Sequence, residues 1–271
     1  MSDASSAAQT PSQYIEHHLT NLQTSFAGSQ VNIDTVIMGW GLGIIVFGLL
    51  WLLALRVKSD GVPGKGQAFF ELLYEFVDNQ VKDMFTGNRR WIVAVAFTTF
   101  VWILIMNSMK FLPVDVVAVA THPFADAWKP VATADLNTTL AMSLSVILLV
   151  IIESIKVKGI GGYLHELTMT PFHGPNIVAK IILLPFNFVF QFIELASKPL
   201  SLALRLFGNM YAGEIIFVLI SLFAAAGFGG VFFGGLLYAG WAIFHILVVP
   251  LQAFIFMMLA AVYIAMAHEA H

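Results

Sequence analysis

The sequence predicts an all-α, polytopic membrane protein, and three observations carry that reading. Of its 271 residues, 59% are hydrophobic and 11% charged, against roughly 25% charged in a soluble domain. Apolar runs with almost no ionisable residue recur near 37–55, 91–109, 138–152, 177–193, 215–237 and 241–266. Several of them approach the ~20 residues that cross a bilayer as a helix. So large an apolar excess cannot be hidden in one water-soluble core. Residues 36–271 therefore read as one integral membrane domain, preceded by a polar arm, residues 1–35.

The arm contains no Lys or Arg and no apolar stretch before the first span, so it lacks the basic and hydrophobic regions of a signal peptide. The first span is expected to direct insertion. After it, Gly61, Pro63, Gly64 and Gly66 stop the helix. Phe69, Leu72, Leu73, Phe76 and Val77 then recur at helical spacing opposite Glu71, Glu75, Asp78 and Lys82. That pattern predicts an amphipathic helix over about 66–86, lying on the membrane surface.

Basic residues orient the chain. Arg56, Lys58, Lys65, Lys82, Arg89 and Arg90 fall in the first loop, Lys110 and Lys129 flank the second, and Lys156, Lys158 and Lys180 mark the third. The excess of Lys and Arg on cytoplasmic loops puts the N-terminus outside, the first and third loops inside and the second outside.

From Ile177 to about Ala224 the sequence runs without a Gly-Pro turn cluster, although Pro185 and Pro199 lie within it. A straight helix of that length would extend about 70 Å, more than twice the ~30 Å hydrocarbon core. It either crosses twice or lies steeply tilted. Gly227, Gly229 and Gly230 mark the next turn, and Val231 to His268 poses the same length problem.

Between Ile181 and Ala267 the only charged residues are Glu194, Lys198, Arg205 and Glu214. Each would cost about 2.5–3.5 kcal/mol at mid-membrane on insertion scales. Glu194, Lys198, Ser201, Arg205 and Asn209 fall within a stripe about 80° wide on one helix face. Glu194 and Lys198 can pair at i, i+4 and be purely structural. Arg205 has no such partner: Glu214, nine residues on, points to the opposite face of an ideal helix. In the last apolar run, Tyr238, His245 and Gln252 follow one another at heptad spacing. A lone His on an apolar helix is more often a satisfied core residue than a proton carrier. Beside a helix bearing Arg205 and Glu214, a side chain that titrates near neutral pH gains weight as a relay.

Other features exclude chemistry. No cysteine is present, which removes disulfides, thiolate metal sites and cysteine nucleophiles. His268-Glu269-Ala270-His271 lacks the metalloprotease spacing, and His17-His18 belongs to the polar arm. No P-loop or nucleophile elbow occurs, so neither nucleotide hydrolysis nor a cofactor is expected in this chain. A net charge of -3 spread thinly over loops gives no reason to expect nucleic acid. Asp135 and Asn137 fit either helix capping or a polar vestibule at the outer mouth of a span. A secondary transporter would show repeated halves with corresponding breaks, and the sequence shows no such symmetry.

The run SKPLSLALRLFGNMYAGE at 197–214, followed by AIFHILVVPLQAFIFMML at 242–259, resembles subunit a of F-type ATP synthases. The likeness extends through GVPGK at 61–65, FLPVD at 111–115, TADLNTT at 133–139 and KGIGGY at 158–163. The resemblance implies a proton-conducting, non-catalytic subunit of the bacterial inner membrane with five spans, the last two forming a long tilted hairpin over about 177–268, and a cytoplasmic C-terminus. It implies a rotor c-ring as partner, together with peripheral-stalk b subunits and, indirectly, the soluble ATPase head. Arg205 would meet the rotor carboxylate and separate two offset half-channels. Glu214, His245, Gln252, Asn209, Asp135, Asn137, Glu194, Lys198 and Ser201 would line the proton pathway. Two departures stand out: Lys110 lies where some relatives carry an Asp, and Pro250 is expected to interrupt the last helix.

Overall fold

A computed structural model describes residues 20–26, 28–55, 57, 62–85, 89–112, 128–172, 174, 176–225 and 227–268. His17-His18, residues 113–115 of the FLPVD run and residues 269–271 lie outside them. The described chain is helical: α1 Ile33–Ala54, α2 Lys65–Met84, α3 Arg90–Ser108, α4 Leu136–Met169, α5 Ile177–Ala224 and α6 Phe228–His268. Short 3-10 turns sit at Met109–Phe111 and Ala132–Ala134. All but α2 are long and apolar enough to cross a membrane, which matches the expected fold class. One small element was not foreseen: β1 Gln23–Phe26 pairs antiparallel with β2 Ser29–Asn32.

α1 begins at Ile33, so Asp34 and Thr35 belong to the first span rather than to the arm. Asp34 is fully buried, and its carboxylate accepts from the backbone N–H groups of Leu22, Thr35 and Lys129 at 3.1, 2.8 and 3.2 Å. A buried carboxylate is tolerable only when hydrogen-bonded in this way. Those bonds fasten the hairpin and the segment before α4 to the N-terminal end of α1. Further along α1, Trp102 Nε1 donates to Gly39 O at 2.9 Å.

The core lies where α3 meets the last third of α6. Ile92, Val93, Ala96, Phe100 and Ile103 pack with Ala253, Phe256, Met257, Ala260, Ala261 and Ile264. Lipid tails are as apolar as these side chains, so close packing rather than water exclusion drives such contacts, and alanines let the backbones approach. α2 joins this core through Val77 and Val81, while Phe69, Leu72 and Phe76 remain exposed.

α4 opens on Asp135, whose side chain caps the helix by accepting from Asn137 N. Capping does not exhaust this carboxylate, which also accepts from Asn32 Nδ2 at 2.9 Å and Thr35 Oγ1 at 3.1 Å. The helix breaks at Gly159, whose φ is 71°. The turn into α5 is held by Asn187: its Oδ1 accepts from Phe172 N, and its Nδ2 donates to Thr168 O and Phe172 O.

α5 and α6 are continuous over 48 and 41 residues. Pro250 does not interrupt α6, a correction to the sequence reading, just as Pro185 and Pro199 do not interrupt α5. Prolines are tolerated inside membrane helices because local adjustment re-satisfies the freed backbone groups. The helices turn at Ala225 and Gly227, the latter with φ 111°, and run back antiparallel. Phe217 packs against Tyr238 with the rings tilted by 59° and their centroids 5.0 Å apart, and Lys198 lies over the Tyr263 ring at 5.6 Å. At about 1.5 Å per residue each helix is longer than the ~30 Å hydrocarbon core is thick.

Candidate functional site

The hairpin presents an apolar outer face built from both helices. On α5, Leu200 and Leu204 are exposed; on α6, Leu247 and Leu251. Ser201, Arg205 and Asn209 open onto the same surface. Between Lys180 and His268, Arg205 is the only charged residue exposed among those described. Within the described residues it has neither an ion pair nor a side-chain hydrogen bond. A guanidinium in such surroundings calls for an anion that the described residues do not supply.

One helical turn further along α5, Asn209 Nδ2 donates to Gln252 Oε1 at 2.7 Å across the hairpin. Beyond that pair comes Gly213, where α6 and Lys110 crowd α5. Trp241 Nε1 donates to Gly213 O at 3.3 Å. A Cβ added to Gly213 would collide with His245 Nε2 and with Lys110 Nζ, so the position admits no larger residue unless those heads move. His245 is buried, and its Nδ1 lies 3.0 Å from Trp241 O. Glu214 follows Gly213 in the chain, and its Oε1 lies 4.0 Å from Lys129 Nζ. His245 thus packs against Gly213, the residue that precedes Glu214 in the chain.

Toward the N-terminus of α5 from Arg205 the stripe ends in a cavity of about 400 Å³ between α4, α5 and α6. Glu194 and Lys198 pair there at 2.9 Å. Lys158 and Glu166, from either side of the Gly159 break, pair at 2.8 Å on the same cavity. Gln191 adds a bond to Thr170 Oγ1 at 3.0 Å.

Of the residues singled out from sequence, Arg205, Asn209 and Gln252 form one group, with Glu214 and His245 beside it. Glu194 and Lys198 line the 400 Å³ cavity, and Ser201 stands between it and Arg205. Asp135 and Asn137 lie at the N-terminal end of α4. There they border a second cavity of about 780 Å³ between α1, α3 and α4. Sequence reasoning missed Asp34 and Lys129, which link the start of α1 to Glu214: Asp34 takes Lys129 N, and Lys129 Nζ reaches Glu214. It also gave Lys110, Lys158 and Glu166 no role at the site. The lysines flank loops in the sequence, where they read as markers of topology, and only the fold turns them inward.

Residues 36–265 match the family described as ATP synthase A chain. ATP synthase subunit a of Shewanella sediminis is 47% identical over 274 residues, covering 99% of both chains. That of Psychrobacter cryohalolentis is 43% identical over 286 residues, covering 96% of this chain and 97% of the relative. That of Pseudomonas aeruginosa is 44% identical over 290 residues, covering 97% and 99%.

Proposed function

Because the chain belongs to the ATP synthase A chain family, we propose that it is the proton-conducting, non-catalytic subunit a of a bacterial F-type ATP synthase, a multi-pass protein of the inner membrane. Its partners are a rotor c-ring, which meets the α5–α6 face, peripheral-stalk b subunits and, through them, the soluble ATPase head. The N-terminus lies outside and the C-terminus in the cytoplasm.

The observation that supports this reading is Arg205, the one exposed cation between Lys180 and His268 among the described residues and without a partner among them, on a mostly apolar hairpin face. A protonated rotor carboxylate is neutral and can face lipid, whereas an ionised one is costly there unless a cation meets it. Arg205 supplies the cation, and a guanidinium does not give up its proton, so it conducts nothing itself. It therefore separates two offset half-channels. The outer one leads from Asp135 and Asn137 to Glu214, His245, Gln252 and Asn209. The inner one leads from Ser201 to the cavity of Glu194 and Lys198. A proton enters by the first, neutralises a rotor carboxylate, travels round with the ring and leaves by the second, so that proton flow turns the ring and drives ATP synthesis.

Replacing Arg205 with Ala tests this. Coupled ATP synthesis is expected to vanish while passive proton leak persists or grows. Arg205→Lys is expected to fail as well, because an ammonium is a more strongly hydrated, differently shaped charge. Normal synthesis in Arg205→Ala would overturn the mechanism.

A further inference from the structure

Two nitrogens share the space in front of Gly213. Lys110 reaches it from the outer end of α3, and its Nζ donates to Met210 O at 2.8 Å. That bond uses one of the three N–H groups of an ammonium and leaves two to donate elsewhere. From α6 comes His245 Nε2, which a Cβ at Gly213 would strike just as it would strike Lys110 Nζ. Trp241 O can only accept, so His245 Nδ1, 3.0 Å away, carries hydrogen. The neutral ring then keeps its lone pair on Nε2, the nitrogen beside Lys110. Glu214 lies within Coulombic reach of the same ammonium. Asn107, three residues before Lys110 and near the end of α3, is fully buried, and its Nδ2 has no acceptor among the described residues. This layer holds hydrogen-bonding capacity that the described side chains leave unused.

We propose that Lys110 is a proton-transferring residue of the outer pathway, handing protons from the Glu214 side to His245; the proposal rests on the proton-conducting role argued above. In the step, one N–H bond of the Lys110 ammonium breaks as its proton passes to the Nε2 lone pair. The proton leaving the Glu214 carboxyl, through one bridging water, forms a new N–H bond on the same nitrogen. Glu214 ends as a carboxylate, His245 as an imidazolium and Lys110 as the ammonium it was. One proton has moved inward and the total charge is unchanged. Lys129, 4.0 Å from Glu214 Oε1, faces the carboxylate so formed, and Asp34 holds Lys129 through its backbone N–H. The bond to Met210 O keeps the ammonium at its post.

The test is made on the assembled complex in inverted membrane vesicles, reading ATP-driven proton pumping, with ATP hydrolysis and copurification of the ring as controls for assembly. Lys110→Arg keeps a cation that can reach Met210 O but does not release its proton, whereas Lys110→Met keeps only the apolar stem. A transferring role predicts that both variants assemble and lose pumping by about tenfold or more, since a positioned proton-transfer group contributes about 10²–10⁴ in rate. Full pumping in Lys110→Arg, whatever Lys110→Met does, reduces Lys110 to a fixed charge or a spectator and overturns the proposal. Should either chain fail to assemble, Gly213→Ala decides: the added methyl drives Nζ and Nε2 apart with both residues still present, and unchanged pumping overturns the transfer. Arg205→Ala in the same vesicles tests the underlying reading separately, because pumping that survives there sinks the role of the hairpin face and leaves the Lys110 result standing on its own.

Discussion

Asn209 and Gln252 share a hydrogen bond of 2.7 Å that crosses from α5 to α6. Asn209 stands one turn from Arg205 and opens onto the outer face, while Gln252 is 3% exposed. The bond couples the exposed cation to the buried polar layer behind it. In a double-mutant cycle with Leu at both positions, the coupling is expected at about 0.6–1.7 kcal/mol, the range found for such bonds in membranes. Unfolding in mixed micelles measures it, and zero coupling would show that the pair contributes nothing to hairpin stability. The double variant regains packing and is nevertheless expected to conduct protons poorly.

Asp34 collects three backbone N–H groups from separate segments. Asp34→Ala leaves them buried without an acceptor, at a cost of roughly 3 kcal/mol or more. Asp34→Asn retains an oxygen that can accept and is expected to lose less. Protease nicking after the β-hairpin, followed by mass spectrometry, reads the order; equal resistance of all three proteins would contradict it.

The connection between α2 and α3 is fastened by a fork of bonds from Arg89 Nε and Nη2 to Asp78 at 2.9 and 3.0 Å. Hydrogen bonding from Arg89, ahead of its charge, holds the Asp78 carboxyl below the usual carboxylate range. A carboxyl lowered in the folded state contributes stability that is fully present above its unfolded value, about 3.9, and is lost as pH falls through the folded value. Carbon NMR titration of Asp78 is expected to give a midpoint below that of a model Asp, and Arg89→Gln is expected to raise it. A midpoint indifferent to Arg89→Gln would dismiss the clamp.

Single cysteines at Glu71, Glu75 and Asp78 are expected to react with impermeant reagents from the cytoplasmic side, Asp78 least readily, because α2 packs Val77 and Val81 against the bundle and leaves Glu71 and Glu75 exposed and Asp78 half-buried. Labelling from the opposite side would invert the topology.

The helices and the identity of the exposed cation were legible in the sequence because both depend on local pattern. An apolar run of span length declares itself, and Arg205 stands out where every charge is costly. The lysines at the site were not legible, since their roles depend on which distant residues the fold brings to them. Lys110 and Met210 are 100 residues apart, and Lys129 N and Asp34 are 95 apart. The i, i+4 pair Glu194–Lys198 could be drawn from spacing; Lys158–Glu166 could not, because it closes across the break at Gly159. Pro250 misled because the rule that proline stops a helix belongs to water.

The burial of α6 is lopsided: before His245 only Gly234 is buried, whereas from Val249 onward Gln252, Ala253, Phe256, Met257, Ala260 and Ala261 are. In mechanical terms the hairpin is a beam clamped at one end. A sideways push delivered near Arg205 acts close to the clamp on a short lever arm, and the same push at the Ala225–Gly227 tip acts on a long one. Bending therefore concentrates in the outer half, and the guanidinium keeps its place under a torque that visibly deflects the tip.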